Sequence, residues 1–229
     1  MSEKFRFDSP VVLVGGADVN PSLLRRLAHL PLIAADGGAN HLRRSSLVPQ
    51  LVIGDLDSVT DKDHWQSVSK VVELSEQDST DFEKCLYSID APLFIATGFS
   101  GNRLDHTLAT LHVMQKLYRK KRVVLAGDDD VVCVCSEKAE VNLPVGTRVS
   151  IYPLNRVVFE TSSGLLYPLN DLDMQPGQLI GTSNASTESQ VVIKPKNKSP
   201  ATDGCYALIL PSSQLKAMTD MLLPQVPAI

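Results

Sequence analysis

Apolar residues in the first half of the chain fall into short unbroken runs: Val11 to Val14, Leu32 to Ala35, Leu51 to Ile53, Val71 to Leu74, Leu93 to Thr97 and Val123 to Ala126. Between most of them, apolar residues recur at helical spacing: Leu23, Leu24 and Leu27; Phe82, Cys85, Leu86 and Ile89; Leu104, Leu108, Leu111, Met114 and Leu117. A strand that is apolar throughout has both faces covered, so this alternation predicts a parallel sheet flanked by helices. The leucine stripe from 104 to 117 is expected to face the core.

Beyond Ala126 the pattern changes. Asp128, Asp129 and Asp130 read as a solvated turn, and after them come short β-rich runs broken by Pro, Gly and Asn. These are Val131 to Val134, Arg148 to Tyr152, Val157 to Glu160, Gln178 to Gly181, Gln190 to Ile193 and Cys205 to Leu210. No helical pattern returns until the last residues. The expected fold is therefore α/β: a parallel-sheet α/β domain over residues 1–127, then an antiparallel β-sandwich domain over 128–229. The polar, Pro-containing segment Lys194 to Asp203 is expected to be a hairpin loop.

The chain has 229 residues, 43% hydrophobic and 21% charged, with a formal net charge of -4. That is enough to bury one good core or two small ones. Lys and Arg are scattered, and the cluster from Arg119 to Arg122 ends a helix-like stretch, where cations ordinarily meet the helix dipole. No nucleic-acid surface is expected. No signal-type run opens the sequence, and none approaches the roughly 18 apolar residues of a membrane span. A cytoplasmic protein without a membrane partner is expected. Cys85, Cys133, Cys135 and Cys205 lack the paired spacing of a zinc site and read as buried thiols, with Cys133 and Cys135 on one face of a strand.

The chemistry lies where the strands end, because ligands of a parallel sheet collect beyond the carboxyl ends of its strands. Asp36, Gly37, Gly38 and Asn40 follow one strand; Gly54, Asp55, Asp57 and Ser58 another; Gln77, Asp78, Thr80 and Asp81 a third; Gly98, Gly101, Arg103, Asp105 and His106 a fourth. One rim thus gathers six carboxylates and a single arginine. Such a set repels itself unless a cation sits within it. Magnesium takes hard oxygen ligands, commonly one or two carboxylates plus substrate phosphates. The glycines allow backbone amides close to phosphate oxygens, and Arg103 is suited to fork onto a phosphate. These are the parts of a phosphoryl-transfer site.

Each part has a plainer reading. Thr80 to Glu83 has capping-box spacing, so Asp81 also suits a helix start. Asn40 is equally placed to cap the helix after it, Asp105 lies near a helix start, and His106 alone reads as a hydrogen-bonded rim residue. Neither a G-x-x-x-x-G-K-[ST] loop nor a G-x-G-x-x-G turn occurs, which removes P-loop and dinucleotide-binding readings.

The segments ADGGAN (Ala35 to Asn40), GDLDS (Gly54 to Ser58), QDSTDFEKCL (Gln77 to Leu86), TGFSGNRLDHTLATL (Thr97 to Leu111) and TSN (Thr182 to Asn184) resemble, as an ordered set, the thiamine pyrophosphokinase family. The resemblance implies transfer of diphosphate from ATP to the hydroxyl of thiamine, giving thiamine diphosphate and AMP, in a Mg2+-dependent homodimer. It implies metal carboxylates at Asp55, Asp57 and Asp81, with Asp36, Asp81 and Asp105 as catalytic candidates. Gly37, Gly38, Asn40, Thr80, Gly98, Arg103 and His106 would lie along the nucleotide. Gln77, Ser183 and Asn184 would face thiamine, the last two from the β domain, which would also dimerise. Some members of that family stack an aromatic residue on thiamine from the β domain. Here Trp65 lies in the first half, leaving Tyr167 and Tyr206 as ring candidates, with Tyr206 reading as core. The residues also admit two rivals, an Asp-x-Asp magnesium-dependent phosphatase and a nucleotide-sensing module without turnover.

Overall fold

The computed structural model describes residues 4–196 and 204–223. The chain divides into two compact units, Met1–Asp128 and Asp129–Ile229.

In the first unit, strands β1 (Phe5–Arg6), β2 (Val11–Val14), β3 (Leu32–Ala35), β4 (Leu51–Gly54), β5 (Lys70–Glu73), β6 (Ile89–Asp90), β7 (Phe94–Thr97) and β8 (Val123–Ala126) alternate with helices. The helices are α1 (Pro21–Leu27), α2 (Gly38–Arg44), α3 (Lys62–Val68), α4 (Asp81–Ser88) and α5 (Leu104–Leu117). Six strands form one parallel sheet in the order β8-β7-β2-β3-β4-β5, and β1 pairs with β6 apart from it. Every residue of β2, β3, β4, β7 and β8 is buried, as the unbroken apolar runs predict.

Strand order reverses between β2 and β7, the place where a doubly wound sheet usually opens a crevice. Here the two loops close on each other: a Cβ on Gly15 would lie 2.3 Å from the Gly98 carbonyl oxygen, and one on Gly98 2.6 Å from the Gly15 oxygen. This glycine pair, bridged by Ala17 N–H donating to the Gly98 carbonyl at 2.9 Å, leaves the ends of β3, β4 and β5 as the polar edge.

Helix α5 departs from the expectation. It buries Thr110, Val113 and Met114, while Leu104 and Leu108 are 73% and 56% exposed. The Thr110 hydroxyl donates to the Phe99 carbonyl at 2.9 Å, which turns the Thr110 side inward and the first leucines out. Helix α4 buries Phe82, Cys85 and Leu86 as predicted, with Ile89 buried just past its end, and on another side it also buries Lys84.

The second unit stacks two antiparallel sheets. One, in the order β14-β11-β16-β9, uses β9 (Asp130–Cys135), β11 (Arg148–Pro153), β14 (Gly181–Ala185) and β16 (Tyr206–Pro211). The other, β10-β15-β12-β13, uses β10 (Ala139–Asn142), β12 (Val157–Ser163), β13 (Asp173–Met174) and β15 (Gln190–Pro195). Phe159 and Tyr206, both fully buried, meet edge to face at 5.3 Å between them. Tyr206 is therefore core. Helix α6 (Leu215–Leu222) buries Leu215 and Met218.

The strand expected at Gln178 to Gly181 begins instead at Gly181, because Gln175–Leu179 closes a small bridge around Pro176 and Gly177. Lys194 and Pro195 belong to β15, and residues 197–203 of the expected loop lie outside the described residues. The Cys133 and Cys135 sulfurs lie 3.6 Å apart on one face; Cys85, Cys133 and Cys205 are buried as expected, while Cys135, toward the end of β9, is only half-buried.

Candidate active site

The loops after β3 and β4 bring three carboxylates together. One oxygen each from Asp36, Asp55 and Asp57 lies within 4.8 Å of the other two. The strands are neighbours in register, Ala35 opposite Ile53, so residues just past their ends converge. The Asp36 N–H donates to the Ile53 carbonyl at 2.8 Å, and Asp36 takes a left-handed backbone (φ 44°). Leu56 does the same at φ 63°, between Asp55 and Asp57. A non-glycine residue holds this conformation only when its surroundings impose it.

Gly54 allows the crowding. A Cβ there would lie 2.8 Å from the Asp36 Cβ and 3.2 Å from Asp81 Oδ1. Asp81 therefore stands against the same glycine as the triad. Its Oδ1 accepts from Lys84 Nζ at 3.2 Å.

The electrostatics differ among these groups. Asp36 is 6% exposed, and its Oδ1 has no hydrogen-bond partner among the described residues. Burial raises its pKa, against a lowering by the Gly37 N–H, and the charges of Asp57 and Asp55 raise it further. Asp55 lies below the usual carboxylate range, chiefly through the Gln77 amide, which donates to Oδ2 at 3.0 Å, then through the Asp57 N–H at 3.3 Å. Burial also raises Asp81, opposed by Lys84. The Ser58 hydroxyl donates to Asp57 Oδ1 at 2.8 Å.

Other predicted residues take supporting places. Asn40 lies inside α2, whose N-cap is Gly37, so it is not the cap. Its amide donates to the Ser58 carbonyl at 2.8 Å and accepts from Thr60 N and Oγ1, fastening α2 to the loop that carries Asp57. Thr80 caps α4 by accepting from Glu83 N at 3.2 Å, as the capping-box spacing predicts. Gly38 packs against the Val14 carbonyl, where a Cβ would come within 1.8 Å. Asp78 is exposed, and its N–H donates to Glu76.

Arg103 and Asp105 do not join the triad. The guanidinium forks onto Asp105, at 3.2 Å from Nε and 2.6 Å from Nη2, with both side chains 66% exposed. Arg103 holds the Asp105 pKa down, and the exposed His106 donates its backbone N–H to the same carboxylate.

In the second unit, Asn184 is 4% exposed and committed to the chain itself. It donates to the Tyr167 carbonyl at 2.7 Å and accepts from Tyr167 N at 3.0 Å. That contact presents the Tyr167 ring, 64% exposed. Ser183 sits at φ 60°, its N–H donating to Ser150 Oγ at 3.0 Å.

Lys84 is a residue of the cluster that the sequence pattern does not mark. The available signal for Lys84 is its place three residues after Asp81, on the Asp81 side of a helix whose apolar residues lie on another side. As a set, Asp36, Asp55 and Asp57 offer oxygen ligands alone, and Asp36 Oδ1 is buried without a hydrogen-bond partner among the described residues. That suits a hard divalent cation such as magnesium, whose ligands stand about 2.1 Å from it. Among the described residues, no helix is long and apolar enough to cross a membrane.

Residues 28–126 match the family described as thiamin pyrophosphokinase, catalytic domain, and residues 137–199 match thiamin pyrophosphokinase, vitamin B1 binding domain. The chain is 30% identical over 180 residues to thiamin pyrophosphokinase 1 of Caenorhabditis elegans, covering 71% of this chain and 74% of that protein. It is 29% identical over 196 residues to thiamine pyrophosphokinase 1 of Arabidopsis thaliana, covering 71% and 73%. The fold is similar to that of thiamin pyrophosphokinase from Candida albicans, with a TM-score of 0.76 at 16% identity over 92% and 93% of the two chains. It is also similar to the Geobacillus thermodenitrificans protein, with a TM-score of 0.74 at 22% identity over 89% and 97%. With both family matches present in order along one chain, this protein belongs to the thiamin pyrophosphokinase family of enzymes.

Proposed function

We propose that this enzyme transfers diphosphate from ATP to the hydroxyl of thiamine. The hydroxyl oxygen bonds to the β-phosphorus, the bond from that phosphorus to the oxygen bridging the α-phosphate breaks, and AMP leaves. The observation that carries the site assignment is the carboxylate triad with the orphaned, buried Asp36 Oδ1. A buried carboxylate oxygen without a donor is costly, so its retention argues for a cationic partner.

Asp36, Asp55 and Asp57 would hold magnesium, with Asp81 beside them, and the bound ion supplies charge neutralisation for the phosphates. The protein's own part is positioning. Gln77 and the Asp57 N–H orient Asp55, Ser58 orients Asp57, and Asn40 ties their loop to α2. Gly37 and Gly38 bring backbone close to the phosphates. Arg103 exchanges its fork on Asp105 for one on a phosphate. The hydroxyl proton passes to a carboxylate of this rim that the ion leaves free, Asp81 or Asp105.

The β unit is proposed to receive thiamine through Ser183 and the Tyr167 ring, with Asn184 holding the Tyr167 segment in place. The enzyme is further proposed to work as a cytoplasmic homodimer. Incubation with ATP, thiamine and magnesium tests the reaction: thiamine diphosphate and AMP should appear in equal amounts. Release of inorganic phosphate without AMP would overturn the reading in favour of a phosphatase.

A further inference from the structure

Lys84 is the least expected residue of the first unit. Its side chain is 2% exposed, in α4, on the side of the helix shared with Asp81 and buried Ser88 rather than the side of Phe82 and Leu86. Burying an ammonium costs several kcal/mol unless it is paired. The partners are Asp81 Oδ1 at 3.2 Å and Asp55 Oδ2 at 3.9 Å. Asp81 Oδ1 also packs against Gly54, and Gly54 packs against Asp36. A fixed positive charge is thus set against Asp81 and Asp55 at the acidic cluster, while Asp36 Oδ1 has no partner among the described residues.

We infer that Lys84 is a positioning residue that serves as the resident counter-cation of this cluster, stabilising the carboxylates before a divalent ion arrives and limiting how tightly that ion is held. Two consequences separate this role from plain packing. Without Lys84, the carboxylates repel one another in the metal-free protein, which loses stability that a divalent ion then restores. With the ammonium gone, a dication entering the cluster no longer meets a positive charge nearby, so it binds more tightly. At a separation of several ångströms and an effective dielectric near that of a protein surface, the Coulomb term is large enough to change affinity by about tenfold or more. An enzyme that must exchange its ion with each nucleotide gains from moderate affinity, so the tighter-binding variant should also turn over more slowly.

The inference rests on the magnesium reading above, and the test separates the two. Mn2+, which also favours oxygen ligands, is titrated into the full chain without nucleotide and followed by the electron paramagnetic resonance of the free ion. Thermal melts are recorded with and without Mn2+. Lys84→Met should bind Mn2+ about tenfold more tightly than the wild type, melt lower without metal, and regain the difference with it. Lys84→Gln, neutral but still able to donate to Asp81, should behave like Lys84→Met. Lys84→Arg should bind within about twofold of wild type, because the charge is kept. If Lys84→Met folds only when Mn2+ is present, that supports the inference; if Mn2+ does not recover it, the inference falls. It also falls if Lys84→Gln titrates like wild type, or if the neutral variants bind Mn2+ equally or more weakly. Absence of Mn2+ uptake by the wild type, with or without ATP, would instead remove the magnesium reading itself.

Discussion

The loop after β4 and the loop after β7 look alike on paper. Each follows a buried strand of the same sheet, and each mixes glycine with aspartate. Their physics is opposite. After β4, Asp55 is 18% exposed and crowded against Asp57 and a buried Asp36 whose Oδ1 lacks a donor. After β7, Asp105 is 66% exposed and already satisfied by Arg103. An exposed ion pair is worth little and signals little, because water would serve either partner nearly as well. A buried, under-satisfied carboxylate is expensive, so it marks where the protein expects a ligand. Position on a rim is therefore a weaker indicator of function than unmet polar need.

The largest test of this contrast is Asp57→Ala. Asp57 is exposed and buries nothing, so the fold should hold, with a melting temperature within a few degrees of wild type. Thiamine diphosphate formation should fall by on the order of 10³-fold. Retained activity would show that the triad is ornamental and that the difference between the two loops carries no functional meaning.

Gly54→Ala attacks the same loop without touching a charge. The new methyl would overlap the Asp36 Cβ and press on Asp81 Oδ1. A displacement of about 1 Å in a positioned group is enough to lower turnover by about 10²-fold, and overpacking should cost about 1–3 kcal/mol in denaturant melts. Activity close to wild type would mean that the close approach of Asp36 to β4 is not needed.

Arg103→Ala tests the other loop and should do less. Losing one charge-assisted contact to a phosphate should raise the KM for ATP by about tenfold to a hundredfold. Mn2+ binding in the absence of nucleotide should be unchanged, since Arg103 does not touch the triad. If Arg103→Ala matched Asp57→Ala in turnover, the exposed pair would rank with the buried cluster and the comparison would break.

These outcomes bear on why some of the molecule is legible in sequence and some is not. Buried parallel strands announce themselves, because a run such as Val11 to Val14 suits little else. The capping box at Thr80 is equally local, and the structure uses it as spaced. What stayed hidden depends on neighbours distant in sequence. Strand β10 shows only Ala139 and Val141 to the core, too few to rise above a loop. The leucines at 104 and 108 follow helical period, yet Thr110 decides which side turns inward. Asp36 joins Asp55 and Asp57 because β3 lies beside β4, and strand order is not written in any one segment. Lys84 reads as a surface lysine until Asp81 and Asp55 are found around it.

The smallest expected effect concerns what holds the β4 loop from behind. Gln77 orients Asp55 from the segment at residues 76–79, where Glu76 accepts from Ser79 and, at 2.9 Å, from the Tyr87 hydroxyl. Burial, then the Glu76 bond and charge, push the Tyr87 pKa up to about 12. An unfolded tyrosine ionises near 10. The folded protein thus keeps this proton where the unfolded chain loses it. The stabilising contribution is whole below about pH 10 and disappears as pH rises toward 12. Tyr87 is only part-buried, so solvent screening should hold the effect to about 1 kcal/mol or less. Urea melts at pH 8, 10 and 11.5 should show wild type losing more stability across the alkaline interval than Tyr87→Phe. Equal slopes would mean that the phenol does not hold Glu76 in solution, and Asp55 would then owe its orientation to Gln77 and the Asp57 N–H without this brace behind them.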